Sequence, residues 1–177
     1  MDRKRKGLEA ALIAIYRKEI GESPTANFGR IIPGYRQSSS RRGGRVGGPL
    51  SDDQVEPNTE RGVEPLSWAH YQDLAHSRWM GLHWTEWQSI PEAQAEASTD
   101  NGLYRIKTTT DEILTYIGQS GNLRSRLRAH TKTYSEDHRI QFAVRPELGA
   151  RHKREETETE LIGAHYLLTD EPPRNQF

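Results

Sequence analysis

The chain has 177 residues, of which 33 % are hydrophobic and 28 % charged, and its mean hydropathy is −0.91. That composition leaves room for one core of about 100 residues but not for a chain packed throughout. No apolar run reaches the ~20 residues that span a bilayer, and no charged–apolar–small leader pattern opens the sequence, so a soluble, cytoplasmic protein without membrane partners is expected. Cysteine is absent, which excludes a disulfide scaffold, a cysteine-ligated zinc site and a thiol nucleophile.

The net charge of zero hides a strong asymmetry. Residues 1–50 hold eleven Lys/Arg against four Asp/Glu, a net of +7; residues 51–100 hold two against ten, a net of −8; residues 101–177 hold twelve against eleven, a net of +1. A basic arm followed by an acidic block raises nucleic-acid binding as a question, to be weighed against an arm neutralised by its own neighbour.

Residues 3–20 have a helical period, with Leu8, Ala11, Leu12, Ile15 and Tyr16 on one face and the basic tetrad Arg3–Lys6 ahead of them. A basic amphipathic helix over 1–22 can dock on DNA, on anionic lipid or on its own domain. Residues 23–65 lose all periodicity; Pro24, Pro33, Pro49, Pro57, Pro65 and the Ser38–Gly48 run of Ser, Arg and Gly mark a loop or linker. All four Trp fall between 66 and 90. Trp68, Tyr71, Ala75, Trp79 and Leu82 fit one face of a helix, so a Trp-rich helical segment is expected over 66–98, as an anchor on a core or a base-stacking surface. His70, His76 and His83 are six and seven residues apart, which does not make a zinc site.

The last 77 residues carry the chemistry. Gly102–Lys107 and Ile113–Gly118 are β-prone around the polar turn 108–112, which predicts a hairpin. Asn122 can cap a helix carrying Leu123 and Leu127. Ile140, Phe142 and Val144 alternate with Arg139, Gln141 and Arg145, the pattern of a half-buried strand. A long polar helix is expected over 150–168. Strand, strand, helix, strand, helix implies a small α+β layer structure.

These residues also carry a signature. Gly-Leu-Tyr at 102–104, Tyr-Ile-Gly at 116–118, the run Asn122-Leu123-x-x-Arg126-Leu127-x-x-His130, an acidic helix and a near-terminal Pro-x-Asn together resemble the GIY-YIG nuclease superfamily over residues 101–177. The resemblance implies a three-stranded, mostly antiparallel sheet flanked by helices. It implies catalytic roles for Tyr104, Tyr116, Arg126, His130 and Asn175, and Glu158 as ligand to one Mg²⁺ or Mn²⁺ ion. Leu103 stands where the family has Ile, and Gln119 where some members have Lys. Glu160, two positions on, rivals Glu158, although helical geometry puts the two on different faces.

Such residues suit phosphodiester hydrolysis, which needs an activated water, neutralised phosphate charge and help for the leaving oxygen. An arginine fork can grip two phosphate oxygens. Arg126 and His130, at i and i+4, project together. A tyrosine hydroxyl, with a reference pKa of about 10, must be a poised base or a water-orienting donor; the sequence leaves open whether Tyr104 or Tyr116 acts. Arg124, Arg128 and Lys132 repeat at i and i+4 and form a candidate phosphate-binding stripe. The expected activity is a metal-dependent DNA endonuclease, with RNA as substrate left open; the alternative is a binding protein that keeps the fold without cleavage. A lone site cuts one strand, so a double-strand cut implies a homodimer or two successive nicks.

Overall fold

The computed structural model describes residues 2–25, 27–28, 35–37, 45–47 and 61–177. The Gly/Ser/Pro-rich stretch read at 23–65, with its Arg-Gly run, lies largely outside the described residues. Helix α1 (Arg3–Ile20) starts at Asp2, whose side chain accepts from the Lys4 amide, and ends at Gly21, whose φ of 87° suits the left-handed cap. Short strands β1 (Tyr35–Gln37) and β2 (Arg45–Gly47) pair antiparallel.

α1 packs on the last helix, α4 (Arg151–Thr169), but not through the face that its apolar residues suggest. Gly7, Ala10, Ala11, Ala14 and Arg17 are buried, whereas Leu8, Leu12, Tyr16 and Ile20 remain exposed. Gly163 of α4 explains the choice: a Cβ there would overlap the Ala10 carbonyl and the Ala14 methyl. Helices this close admit only small side chains between them, so the small-residue face wins over the more apolar one.

The Trp-rich helix expected over 66–98 does not form as such. Residues 61–89 run as a strap of turns with one 3₁₀ turn at Trp79–Gly81, and the α-helix is confined to α2 (Ile90–Glu96). Trp68, His70 and Met80 take φ values of 57°, 53° and 58°, which no α-helix accommodates. Asp73 and His76 each bond the amide two residues on, at 2.9 Å, and lock the turns. α2 starts with a Ser89–Glu92 capping box.

Strands β3 (Gly102–Thr108), β4 (Tyr116–Ser120) and β5 (His138–Val144) form one antiparallel sheet in the order β4-β3-β5. The architecture is α+β, as expected. β4 begins three residues later than the sequence suggests: residues 109–115 make the connection, with Leu114 buried and the Thr115 amide donating to the Ile106 carbonyl at 2.7 Å. Helix α3 (Leu123–His130) is capped by the Asn122 side chain, which accepts from the Ser125 amide at 2.9 Å.

Both faces of the sheet are covered. On one, Tyr104, Ile106, Ile140 and Phe142 meet Leu123 and Leu127 of α3 and Ile90 and Ala93 of α2. On the other, Leu103, Ile117 and Ala143 meet Leu161 and Ala164 of α4 and Trp79, Met80 and Trp84 of the strap. β5 is therefore not half-buried. Gln141, expected to face solvent, is 1 % exposed, because the strap closes over that face. Arg105 pins the strap: its guanidinium donates to Gln141 Oε1 and to the Leu74 and His76 carbonyls at 2.6–2.9 Å. It also lies 4.5–5.2 Å from the ring centroids of Trp79, Trp84 and Trp87. Burial pulls its pKa down to about 9, which leaves it charged at neutral pH.

A second buried cluster ties α1 and the strap to α4. Arg17 Nε meets Glu160 at 3.0 Å, its Nη1 lies 3.4 Å from Glu156, and its Nη2 donates to the Val63 carbonyl at 3.1 Å. Glu160 also accepts from the Leu66 amide at 3.1 Å and the Trp68 indole at 2.8 Å. Residues before position 100 thus complete the core of the C-terminal domain. Among the described residues no helix is long and apolar enough to cross a membrane.

Candidate active site

Tyr104 sits mid-strand on β3, opposite Gly118 of β4. The two glycines of the paired tripeptides are needed for clearance rather than for unusual dihedrals. A Cβ on Gly118 would stand within the Tyr104 hydroxyl and 2.7 Å from Cε1 of Tyr116; one on Gly102 would strike Leu123 of α3 and the Ala143 carbonyl. The first glycine lets α3 close on the sheet, and the second lets the two tyrosine rings lie across the hairpin. Their centroids are 6.0 Å apart with planes inclined by 26°.

α3 supplies the polar partners. Arg126 Nε donates to the Tyr104 hydroxyl at 2.8 Å, and His130 Nε2 lies 3.0 Å from the same oxygen. Burial first, then the Arg126 charge, pulls the His130 pKa down to about 4. The ring is therefore neutral at pH 7. Tyr104 is wholly buried; that burial, reinforced by Tyr116, pushes its hydroxyl pKa far up, against the opposing pull of Arg126. The hydrogen bond that Arg126 donates to Tyr104 leads the causes that raise Arg126, and Tyr116 adds to them electrostatically. Arg126 therefore lies beside both tyrosines while its surface stays exposed.

Glu158 approaches from α4. It acts on Tyr104 and Arg126 electrostatically and lies beside the Gln119 backbone. Burial, then Glu155, pushes its pKa up to about 7, against the opposing pull of Arg126 and that backbone. Glu160, its rival, points to the other side of α4 and is consumed by Arg17, Leu66 and Trp68. Two positions along a helix turn a side chain by ~200°, which is why one glutamate faces the tyrosines and the other the N-terminal layer. The side chain of Gln119, at the position noted for its missing lysine, accepts from Arg154 Nε at 3.0 Å, so an α4 arginine lies beside it.

Asn175 reaches the same region along the edge of β4. Its amide donates to the Thr115 carbonyl at 2.8 Å, and Gln176 Oε1 accepts from the Ile117 amide at 3.0 Å. The Asn175 side chain lies near Tyr134, which was not among the residues expected at the site. The Tyr134 amide donates to the His130 carbonyl at 3.0 Å, one turn past α3. The i, i+4, i+8 series Arg126, His130, Tyr134 was the signal that could have found it.

Tyr104, Tyr116, Arg126, His130, Glu158 and Asn175 thus converge. Arg124, Arg128 and Lys132 do not join them. Helical geometry puts Arg124 and Arg128 on the opposite side of α3 from Arg126 and His130. Arg124 Nε is tied to the Ala97 carbonyl at 2.8 Å, and Lys132 lies in the turn beyond the helix, exposed. Among the described residues no three His, Asp or Glu side chains gather as a metal cluster. In comparison with known proteins, the family model described as the GIY-YIG catalytic domain matches residues 100–164. No curated protein and no solved structure matches the chain.

Proposed function

We propose, from the premise that residues 100–164 belong to the GIY-YIG nuclease superfamily, that this protein is a Mg²⁺- or Mn²⁺-dependent DNA endonuclease. The observation that carries the reading is the pairing of both motif tyrosines across the hairpin, with Arg126 on the Tyr104 hydroxyl and within electrostatic reach of the Glu158 carboxylate. Glu158 fits a divalent ion. It is a hard oxygen donor whose burial is offset only by Arg126 and one amide, so a cation would supply the missing countercharge. Mg²⁺ keeps several waters, so one carboxylate suffices to hold it. When bound, the ion would neutralise charge on the phosphate oxygens.

The chain's own groups divide the rest of the work. Arg126 grips a non-bridging oxygen of the scissile phosphate, held in place by Tyr104. Tyr116 is the tyrosine that meets water, because it is half-buried whereas Tyr104 has no exposed surface. It orients the attacking water and takes its proton as the water oxygen bonds to phosphorus and the leaving oxygen departs. Tyr104 and His130 are positioning groups for Arg126. Asn175 closes the far side of the site through Tyr134.

The test is cleavage of supercoiled plasmid in Mg²⁺ by wild type, Glu158→Ala and Tyr116→Phe, with EDTA as control. Metal-dependent nicking or linearisation by wild type, lost at least a hundredfold in both variants, is the expected result. Absence of cleavage together with a salt-sensitive gel shift would replace this reading with a non-catalytic nucleic-acid-binding protein.

A further inference from the structure

Tyr134 belongs to two places at once. Its ring is tilted between the imidazoles of His130 and His138, with centroids 5.3 and 4.9 Å away. It lies near Asn175 and within electrostatic reach of Tyr116 and Arg126. The same residue walls a cavity of about 490 Å³ between α2 and the α3–β5 connection. That volume falls in the ~300–1,000 Å³ range of small-ligand sites. The wall combines Pro91 and the Tyr134 ring, the hydroxyls of Ser89, Thr131 and Ser135, and the Arg139 cation with Glu136 beside it. Carbonyls of Glu136 and His138 fix Arg139 Nη1 at 2.8 and 3.0 Å.

An aromatic face, hydroxyls and a fixed cation are what a nucleotide needs for its base, its sugar and its phosphate. We propose that this cavity binds the nucleotide adjoining the scissile phosphodiester, with Tyr134, which also flanks His130, standing between the cavity and the connecting phosphate. The inference rests on the nuclease reading above and deepens it by assigning a subsite. Tyr134 becomes a substrate-binding residue, and the cavity becomes the place where the enzyme senses sequence or strand ending beside the cut.

The test uses the full chain and 2′-deoxynucleoside 5′-monophosphates as probes, titrated by calorimetry and by NMR of the tyrosine rings. Thr131→Trp fills the cavity from a partly exposed wall, Tyr134→Phe removes one hydroxyl and keeps the ring, and Glu158→Ala impairs the reaction alone. Wild type and Glu158→Ala are expected to bind one mononucleotide equally, Thr131→Trp at least tenfold more weakly, and Tyr134→Phe three- to tenfold more weakly. In plasmid cleavage, Thr131→Trp should raise KM and alter cutting positions, while kcat falls less than threefold. No saturable binding by wild type, or wild-type binding by both cavity variants, overturns the subsite. The two readings fail separately: cleavage that disappears in Glu158→Ala but is untouched in Thr131→Trp and Tyr134→Phe keeps the nuclease and removes the subsite. Binding lost in Thr131→Trp, with no cleavage by wild type, keeps a nucleotide site and removes the nuclease.

Discussion

Replacing Gly118 by alanine tests the geometry of the hairpin at one methyl group. The new Cβ would overlap the hydroxyl and Cζ of Tyr104 and stand 2.7 Å from Cε1 of Tyr116. Restoring ordinary contact requires the rings to retreat by roughly 1 Å. Tyr104 has nowhere to go: it is wholly buried and held by Arg126 at 2.8 Å and by His130 at 3.0 Å. Overpacking of this kind costs about 1–3 kcal/mol, and a ~1 Å misplacement of a catalytic group can lower turnover about a hundredfold. Gly118→Ala should therefore stay folded with a lowered urea midpoint and lose at least that factor in plasmid nicking. Gly149→Ala is the control, since its Cβ would meet nothing nearer than 4.0 Å. If Gly118→Ala nicks plasmid within twofold of wild type at an unchanged midpoint, the claim that this glycine exists to clear the tyrosines is wrong.

Two further outcomes follow from buried charge. Arg17→Ala removes the cation buried against Glu160 and Glu156, and should lower unfolding free energy in urea by about 3–5 kcal/mol; a loss below 1 kcal/mol would show that the cluster does not hold α1 on α4. His165 is buried, and burial pulls its pKa from 6.5 down to about 4. Its contribution is fully present above pH 6.5 and is lost as pH falls toward 4, because the unfolded chain binds the extra proton; the whole shift is worth roughly 3 kcal/mol. Stability measured in urea from pH 8 to 5 should decline below 6.5, and His165→Asn should flatten that decline; parallel curves would refute the assignment.

The order of strands and helices after residue 100 was legible because it rests on local signals. Alternating apolar residues at 139–144, the Asn122 cap and the Leu123–Leu127 pair act within a few residues of themselves. The paired tripeptides were legible too, since their tyrosines and glycines meet across a hairpin whose partners are near in sequence. The Trp-rich strap was not legible. Its tryptophans fit a helical period by coincidence, and the contacts that organise them, Arg105 to the Leu74 and His76 carbonyls, cross about 30 residues. The exposed face of α1 misled for a related reason: hydrophobicity ranks faces, but the close approach of Gly163 selects the small one.

By itself, then, the sequence determined which residue types stand in which order on the C-terminal elements, because propensity, capping and alternation are properties of neighbours. Tertiary structure decided what each residue does there. It turned Glu158 toward the tyrosines and Glu160 into the Arg17 cluster, buried Tyr104 while leaving Tyr116 accessible, and brought Tyr134 near Asn175. Burial and charge arise from groups distant along the chain, so they come into being only when α1, the strap and the tail close on the sheet.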